Sequence, residues 1–146
     1  MRLLFATPTY VYIIVNLPGA TAFVPQDDRL HGFYTCRKYM QHYARLAGLP
    51  RGAATEAKID TLFKQLGLAG QADTIVGDIF LKGLSGGQKR RLSVALEALT
   101  EPNNFFLDEP TSGLGNYKNA VQIMLCVSEK GGMENSQFYF LHLNYY

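Results

Sequence analysis

A parallel α/β sheet flanked by helices is the fold class this sequence predicts, and three observations predict it. Phe105-Phe106-Leu107 is a continuous apolar run of the kind found in strands covered on both faces. A helical pattern over residues 117–129 and a strand-like run over residues 137–142 follow it, and strand, helix, strand in that order implies a right-handed crossover between parallel strands. Two amphipathic patterns in succession over residues 34–66 add a helical layer. At 146 residues and 47% hydrophobic, the chain has the size and apolar content of one ordinary domain, able to bury roughly two thirds of its unfolded surface.

The elements follow in order. Residues 10–15 are β-branched and aromatic, Leu17-Pro18-Gly19 is a turn signal, and Ala22-Phe23-Val24 is a short apolar piece, so two short strands are expected. Over residues 34–49 the period becomes helical, with Tyr39, Met40, Tyr43 and Ala44 on one side and Arg37, Lys38, Gln41 and Arg45 on the other; Gly48 and Pro50 end it. Thr55 is a good N-cap for a second helix carrying Ile59, Leu62, Phe63 and Leu66, which Gly67 stops. Residues 73–82 are expected to form a loop. A third helix spans about residues 88–99, with Leu92, Ala95, Leu96 and Leu99 on its apolar face and Glu101-Pro102 closing it.

Composition excludes several function classes. Net charge is +2 with the basic residues spread along the chain, so nothing favours nucleic acid or an anionic membrane surface; the densest cluster, Lys89-Arg90-Arg91, is short. Cys36 and Cys126 lie far apart outside any C-x-x-C spacing, and the three histidines are scattered, so a zinc site or a disulfide framework is not indicated and two unpaired thiols in a reducing setting are. The apolar stretch after Arg2 contains Pro8 and lacks a small-x-small cleavage site, which argues against a secretory leader. No stretch reaches the ~20 apolar residues that a membrane span needs.

Two motifs carry chemistry. In Leu84-Ser85-Gly86-Gly87-Gln88 the glycines permit close backbone approach, and Ser85 offers a hydroxyl at a helix N-terminus, whose unpaired N–H groups attract anions. Those residues suit a phosphate; taken alone they also suit any serine-capped glycine turn. In Phe105-Phe106-Leu107-Asp108-Glu109 an apolar strand delivers adjacent carboxylates to the sheet's C-terminal edge, where open α/β sheets place ligands. Neighbouring strand residues point to opposite faces, so the acids can divide their work: Asp108 for Mg²⁺, which favours carboxylates and phosphates, and Glu109 to orient or deprotonate an attacking water. The plainer reading is a pair of surface acids before Pro110.

Residues 82–114, KGLSGGQKRRLSVALEALTEPNNFFLDEPTSGL, resemble the signature helix, Walker B strand and D-loop of ABC transporter nucleotide-binding domains, most closely those of the G subfamily. Upstream, Phe23-Val24-Pro25-Gln26-Asp27-Asp28 resembles the Q-loop, and residues 34–83 resemble the α-helical subdomain. The resemblance implies a truncated P-loop NTPase-like fold, with a strand region and Q-loop over about 1–30, the helical subdomain and signature helix over 31–100, and Walker B, D-loop and switch region over 101–146. It also implies ATP and Mg²⁺ as cofactors, and a cytoplasmic-face location through a membrane domain. Gln26 would contact Mg²⁺ and the attacking water, Leu84, Ser85, Gly86, Gly87 and Gln88 would contact ATP, Asp108 would hold Mg²⁺, Glu109 would be catalytic, and His142 would sense the γ-phosphate. His31 and His42 stay structural or exposed.

The sequence also departs from the family pattern. Gly115 replaces the D-loop aspartate, Asn103-Asn104 stand where the strand is normally apolar, Leu143-Asn144-Tyr145-Tyr146 do not match the usual surroundings of the switch histidine, and residues before Tyr10 do not match the family's N-terminal sheet. No stretch fits G-x-x-x-x-G-K-[ST], the loop that cradles the phosphates. In the family, two nucleotide-binding domains sandwich each ATP between one Walker A and the other's signature. The expected partners are therefore a second nucleotide-binding domain, identical or different, and a transmembrane domain, with no nucleic acid. By itself the chain is expected to bind ATP weakly or not at all and to turn over no faster than Glu109→Gln. Two other readings stay open: an interaction module that pairs with a complete subunit, and a non-transport ABC ATPase. Against the second, only 57 residues separate Gln26 from Leu84, too few for a coiled-coil arm.

Overall fold

The computed structural model describes residues 2–5, 20–26, 29–108 and 137–142. Among the described residues four parallel strands form one sheet: β1 (Arg2–Phe5), β2 (Thr21–Val24), β3 (Asn104–Asp108) and β4 (Gln137–His142), in the order β1-β4-β3-β2. Among the described residues, three α-helices lie between β2 and β3 in the chain, α1 (Cys36–Leu46), α2 (Ala53–Gln65) and α3 (Gly86–Ala98), with a short 3-10 helix at Ala69–Gln71. The parallel α/β class read from the sequence is the class observed. The expected strand over 10–15 and helix over 117–129 lie outside the described residues, as do Asp27, Asp28, Glu109, Gly115, the D-loop match and Cys126.

Helix α1 begins where Thr35, in extended conformation, accepts the Lys38 N–H on its hydroxyl at 3.4 Å. It ends in a Schellman motif at Gly48: the N–H of Gly48 donates to Arg45 O (3.2 Å) and that of Leu49 to Ala44 O (2.9 Å). Cys36, Met40 and Ala44, four residues apart, form its fully buried stripe. The Cys36 thiol is free; it donates to Thr74 O at 3.4 Å, and burial pushes its pKa up to about 11, the behaviour of an inert core thiol.

Helix α2 corrects the expected cap. Its N-cap is Gly52, at φ 132°, and Thr55 lies inside the first turn with its hydroxyl donating back to Pro50 O at 2.5 Å. Ala53 and Ala54, strong helix formers, extend the helix two residues ahead of the threonine, and glycine supplies the backbone conformation that brings the chain in. The other end is as read: Gly67 (φ 64°) donates to Lys64 O at 3.3 Å and Leu68 to Phe63 O at 2.7 Å, a second Schellman motif. Arg37 ties the helix pair together through Glu56 (3.2 Å) and Asp60 (2.6 Å), with its guanidinium 5.7 Å from the Phe63 ring centroid.

Helix α3 starts at Gly86, two residues earlier than its apolar period indicated, because Ser85 rather than Gln88 terminates the loop. It packs on β2 and against both α1 and α2. That position between two layers explains why Val94 and Ala98 are buried besides the expected Leu92, Ala95, Leu96 and Leu99. The main core joins these residues to Ala22, Val24, Phe105 and Leu107 of the sheet and to the buried stripes of α1 and α2.

Strand β1 was not legible as such, and the sequence placed no sheet strand before Tyr10; Arg2–Phe5 nevertheless pairs with β4 at the sheet edge. Strand β3 starts one residue before the apolar run, at buried Asn104. The polar pair fits there because it binds the start of β2: Asn103 and Asn104 N–H groups donate to Ala20 O (2.9 and 3.0 Å), and Asn103 Oδ1 accepts the Ala20 N–H at 3.0 Å.

Candidate nucleotide site

All four strands run the same way, so their C-terminal ends share one edge. Gln26 follows β2 by two residues, Asp108 ends β3, and His142 ends β4. Asp108 stands opposite Leu141, and His142 opposite Phe5. Three of the residues selected from sequence thus come to one edge on three adjacent strands. Alternation along β3 puts Phe105 and Leu107 toward the helices and Asp108, with Phe106, on the other face. Asp108 is 1% exposed. Glu109 is the next residue in the chain, outside the described residues.

The serine-glycine motif forms the N-terminus of α3, a helix of 13 residues. Ser85 Oγ accepts the Gln88 N–H at 3.4 Å while Gln88 Oε1 accepts the Ser85 N–H at 2.9 Å, a reciprocal capping box. Gln88 therefore shapes the cap. Ser85 and Gly86 are exposed and Leu84 is buried beneath them. A Cβ added at Gly86 would meet nothing within 4 Å, so the approach to the first-turn N–H groups is open.

The loop feeding this cap is held tightly. Leu84 N–H donates to Val76 O (3.0 Å), Val76 N–H to Tyr34 O (2.8 Å), and Lys89 Nζ to Gly77 O (2.9 Å). The turn over residues 78–81 closes on Asp78, whose Oδ1 accepts the N–H groups of Phe80 and Leu81 at 2.8 and 2.9 Å. Of the histidines set aside from the sequence, His31 is exposed and His42 stacks on Tyr34 at a centroid distance of 5.5 Å.

Between cap and edge lies a residue that the motifs did not single out. Arg90, 3% exposed, donates to the main-chain oxygens of Pro25, Gln26 (3.3 Å) and Asp108. The signal was present in the sequence: Arg90, Val94 and Ala98 share one helical stripe at four-residue spacing, and a cation on a buried stripe has to find acceptors.

The buried carboxylate and the carboxamide loop at the sheet edge are oxygen donors of the kind Mg²⁺ takes, and the open N-terminus of α3 is of the kind that accepts a phosphate. Among the described residues there is no group of three or more His, Cys, Asp or Glu able to hold a metal by itself.

The sequence model of the ABC transporter family matches residues 8–112. This chain belongs to the ABC transporter family. It is similar to the broad substrate specificity ATP-binding cassette transporter ABCG2 of Rattus norvegicus, 40% identical over 121 residues, which cover 80% of this chain and 18% of that protein. It is also similar to ABC transporter G family member 11 of Arabidopsis thaliana, 44% identical over 98 residues, 66% of this chain and 14% of that protein. The chain therefore spans less than a fifth of the length of these curated relatives. A solved ATP binding subunit of an ABC transporter shares the fold, with TM-score 0.72 at 17% identity, covering 97% of this chain and 67% of that one.

The chain thus corresponds to part of an ABC transporter ATP-binding domain, related to the G subfamily. Among the described residues, no helix is long and apolar enough to cross a membrane.

Proposed function

We propose that this chain is the signature-bearing part of a G-type ABC transporter nucleotide-binding domain, which couples ATP binding and hydrolysis to export of a substrate across a membrane. It would work at the cytoplasmic face, paired with a second nucleotide-binding domain and a transmembrane domain. The observation that carries this reading is the open, capping-box-rigidified N-terminus of α3, presented on a parallel sheet whose edge holds Asp108.

The Ser85 hydroxyl and the N–H groups of Gly86 and Gly87 donate to phosphate oxygens at a helix N-terminus, where the field already favours negative charge. Leu84, buried, seats the cap, and Gln88 holds the serine backbone. Asp108 and Gln26 contribute the protein's oxygen ligands to a magnesium ion, Glu109 accepts a proton from the attacking water, and His142 senses the terminal phosphate. Mg²⁺ bound with ATP supplies charge neutralisation on the phosphate oxygens. By the family arrangement, in which each ATP lies between one domain's Walker A and the other's signature, the cap is assigned to nucleotide cradled by a partner's Walker A.

Complementation tests this directly. The chain is added to a G-type nucleotide-binding domain that keeps its Walker A but carries an inactivated signature serine, and ATP hydrolysis is measured. The chain should restore turnover, and Ser85→Arg should abolish the restoration. Restoration that survives Ser85→Arg would sink the reading.

A further inference from the structure

We infer that Arg90 is a positioning residue that makes the signature cap and the metal-facing edge of this chain one mechanical unit. Its functional arm rests on the reading just given.

Arg90 lies five residues beyond Ser85 on α3, roughly 7.5 Å along the helix axis at 1.5 Å per residue. Its guanidinium reaches the main-chain oxygens of Pro25 and Gln26 beyond β2 and of Asp108 at the end of β3. These acceptors come from two strands and from distant parts of the sequence, and the side chain meets them almost out of contact with water. A buried cation retained in such a place needs several acceptors, and carbonyl dipoles supply them without neutralising it. Arginine alone meets that need, because its planar fork carries five N–H donors at fixed angles, whereas lysine presents one nitrogen.

The consequence concerns both ends of the helix's first two turns. Gln26 and Asp108 are bound through their backbones, which fixes the height of each strand end against α3. At the other end, the capping box fixes Ser85 to the same rigid helix. A displacement of the Gln26 loop or of the Asp108 strand end is therefore passed to Ser85 through a guanidinium and five helical residues. Because the cap serves nucleotide on the partner, Arg90 connects the edge that faces one nucleotide to the cap that faces the other.

Two measurements test this. In the complementation assay, Arg90→Met is expected to lower restored kcat about tenfold at unchanged KM for ATP, with Arg90→Lys between it and arginine. Arg90→Met combined with Ser85→Ala should be no worse than the poorer single variant, since both act through one cap. Full restoration by Arg90→Met, lysine equal to arginine, or losses that multiply would each overturn the inference. Separately, on the chain alone, amide exchange at Gln88, Lys89 and β2 should accelerate together at least tenfold in Arg90→Met and less in Arg90→Lys, with α2 unchanged. Exchange like that of the parent chain, or acceleration spread through α2, would overturn it. If Ser85→Ala restores turnover fully, the proposed function fails while the exchange measurement still decides the role of Arg90.

Discussion

Gly83 and Gly86 sit three residues apart and answer to different constraints. A Cβ at Gly83 would lie 2.4 Å from Ile75 O, 2.5 Å from Val76 O and 2.6 Å from Gly77 N, all backbone atoms that cannot step aside. A Cβ at Gly86 would touch nothing. Gly83→Ala is therefore expected to destabilise the chain by about 2 kcal/mol, the scale of overpacking against an unyielding wall, read as a lower urea midpoint. Gly86→Ala should leave that midpoint within about 0.5 kcal/mol of the parent, as exposed substitutions do. It should nevertheless cut complementation sharply, because the new methyl stands where a phosphate approaches. Gly86→Ala with full complementation would remove the open cap from the site.

Between elements, the tie of most consequence is Tyr43 on α1 donating to Glu97 Oε1 on α3 at 2.8 Å. Burial raises the Glu97 carboxyl above its ordinary value of 4.5, and the bond from Tyr43 offsets part of that rise. The folded chain thus holds the Glu97 proton more tightly than the unfolded chain does. By linkage, stability falls as pH climbs from about 4.5 through the raised value, and the penalty is fully present above it. Glu97→Gln keeps an acceptor for Tyr43 and removes the titration. The difference in melting temperature, variant minus parent, should rise across that window and then level off. A difference that is flat with pH would refute the assignment.

The same scale shows what was legible in the sequence. The ends of α1 and α2 were readable because Gly48 and Gly67 are local stop signals, and the signature cap because its serine and glycines act within one turn. Thr55 misled because a hydroxyl can bond forward as a cap or backward to Pro50, and the choice depends on where Ala53 lets the helix begin. β1 was missed because Leu3-Leu4-Phe5 becomes a strand through pairing with residues 139–142, a partner more than 130 residues away. Arg90 was hidden for a related reason: its acceptors lie as far as 65 residues upstream, and only the assembled sheet brings them under α3.

For the molecule as a whole, the parallel order β1-β4-β3-β2 gathers Gln26, Asp108 and His142 on one edge and leaves the N-terminal cap of α3 open at Gly86. On the proposed function, one chain presents parts of two half-sites, and its affinity for nucleotide is expected to depend on a second domain. Ligand binding stabilises a fold by RT ln(1 + [L]/Kd), so about 1 mM Mg-ATP acting on a site with Kd near about 10 mM contributes only about 0.06 kcal/mol, too little to move a melting curve. Mg-ATP is accordingly expected to leave the melting temperature of the isolated chain unchanged. Mixed with the signature-inactivated domain used for complementation, the chain should melt several degrees higher when Mg-ATP is present, and Ser85→Arg should cancel the rise. A rise of that size in the isolated chain would mean that these residues cradle the triphosphate unaided, and the assignment of the cap to a partner's nucleotide would be wrong.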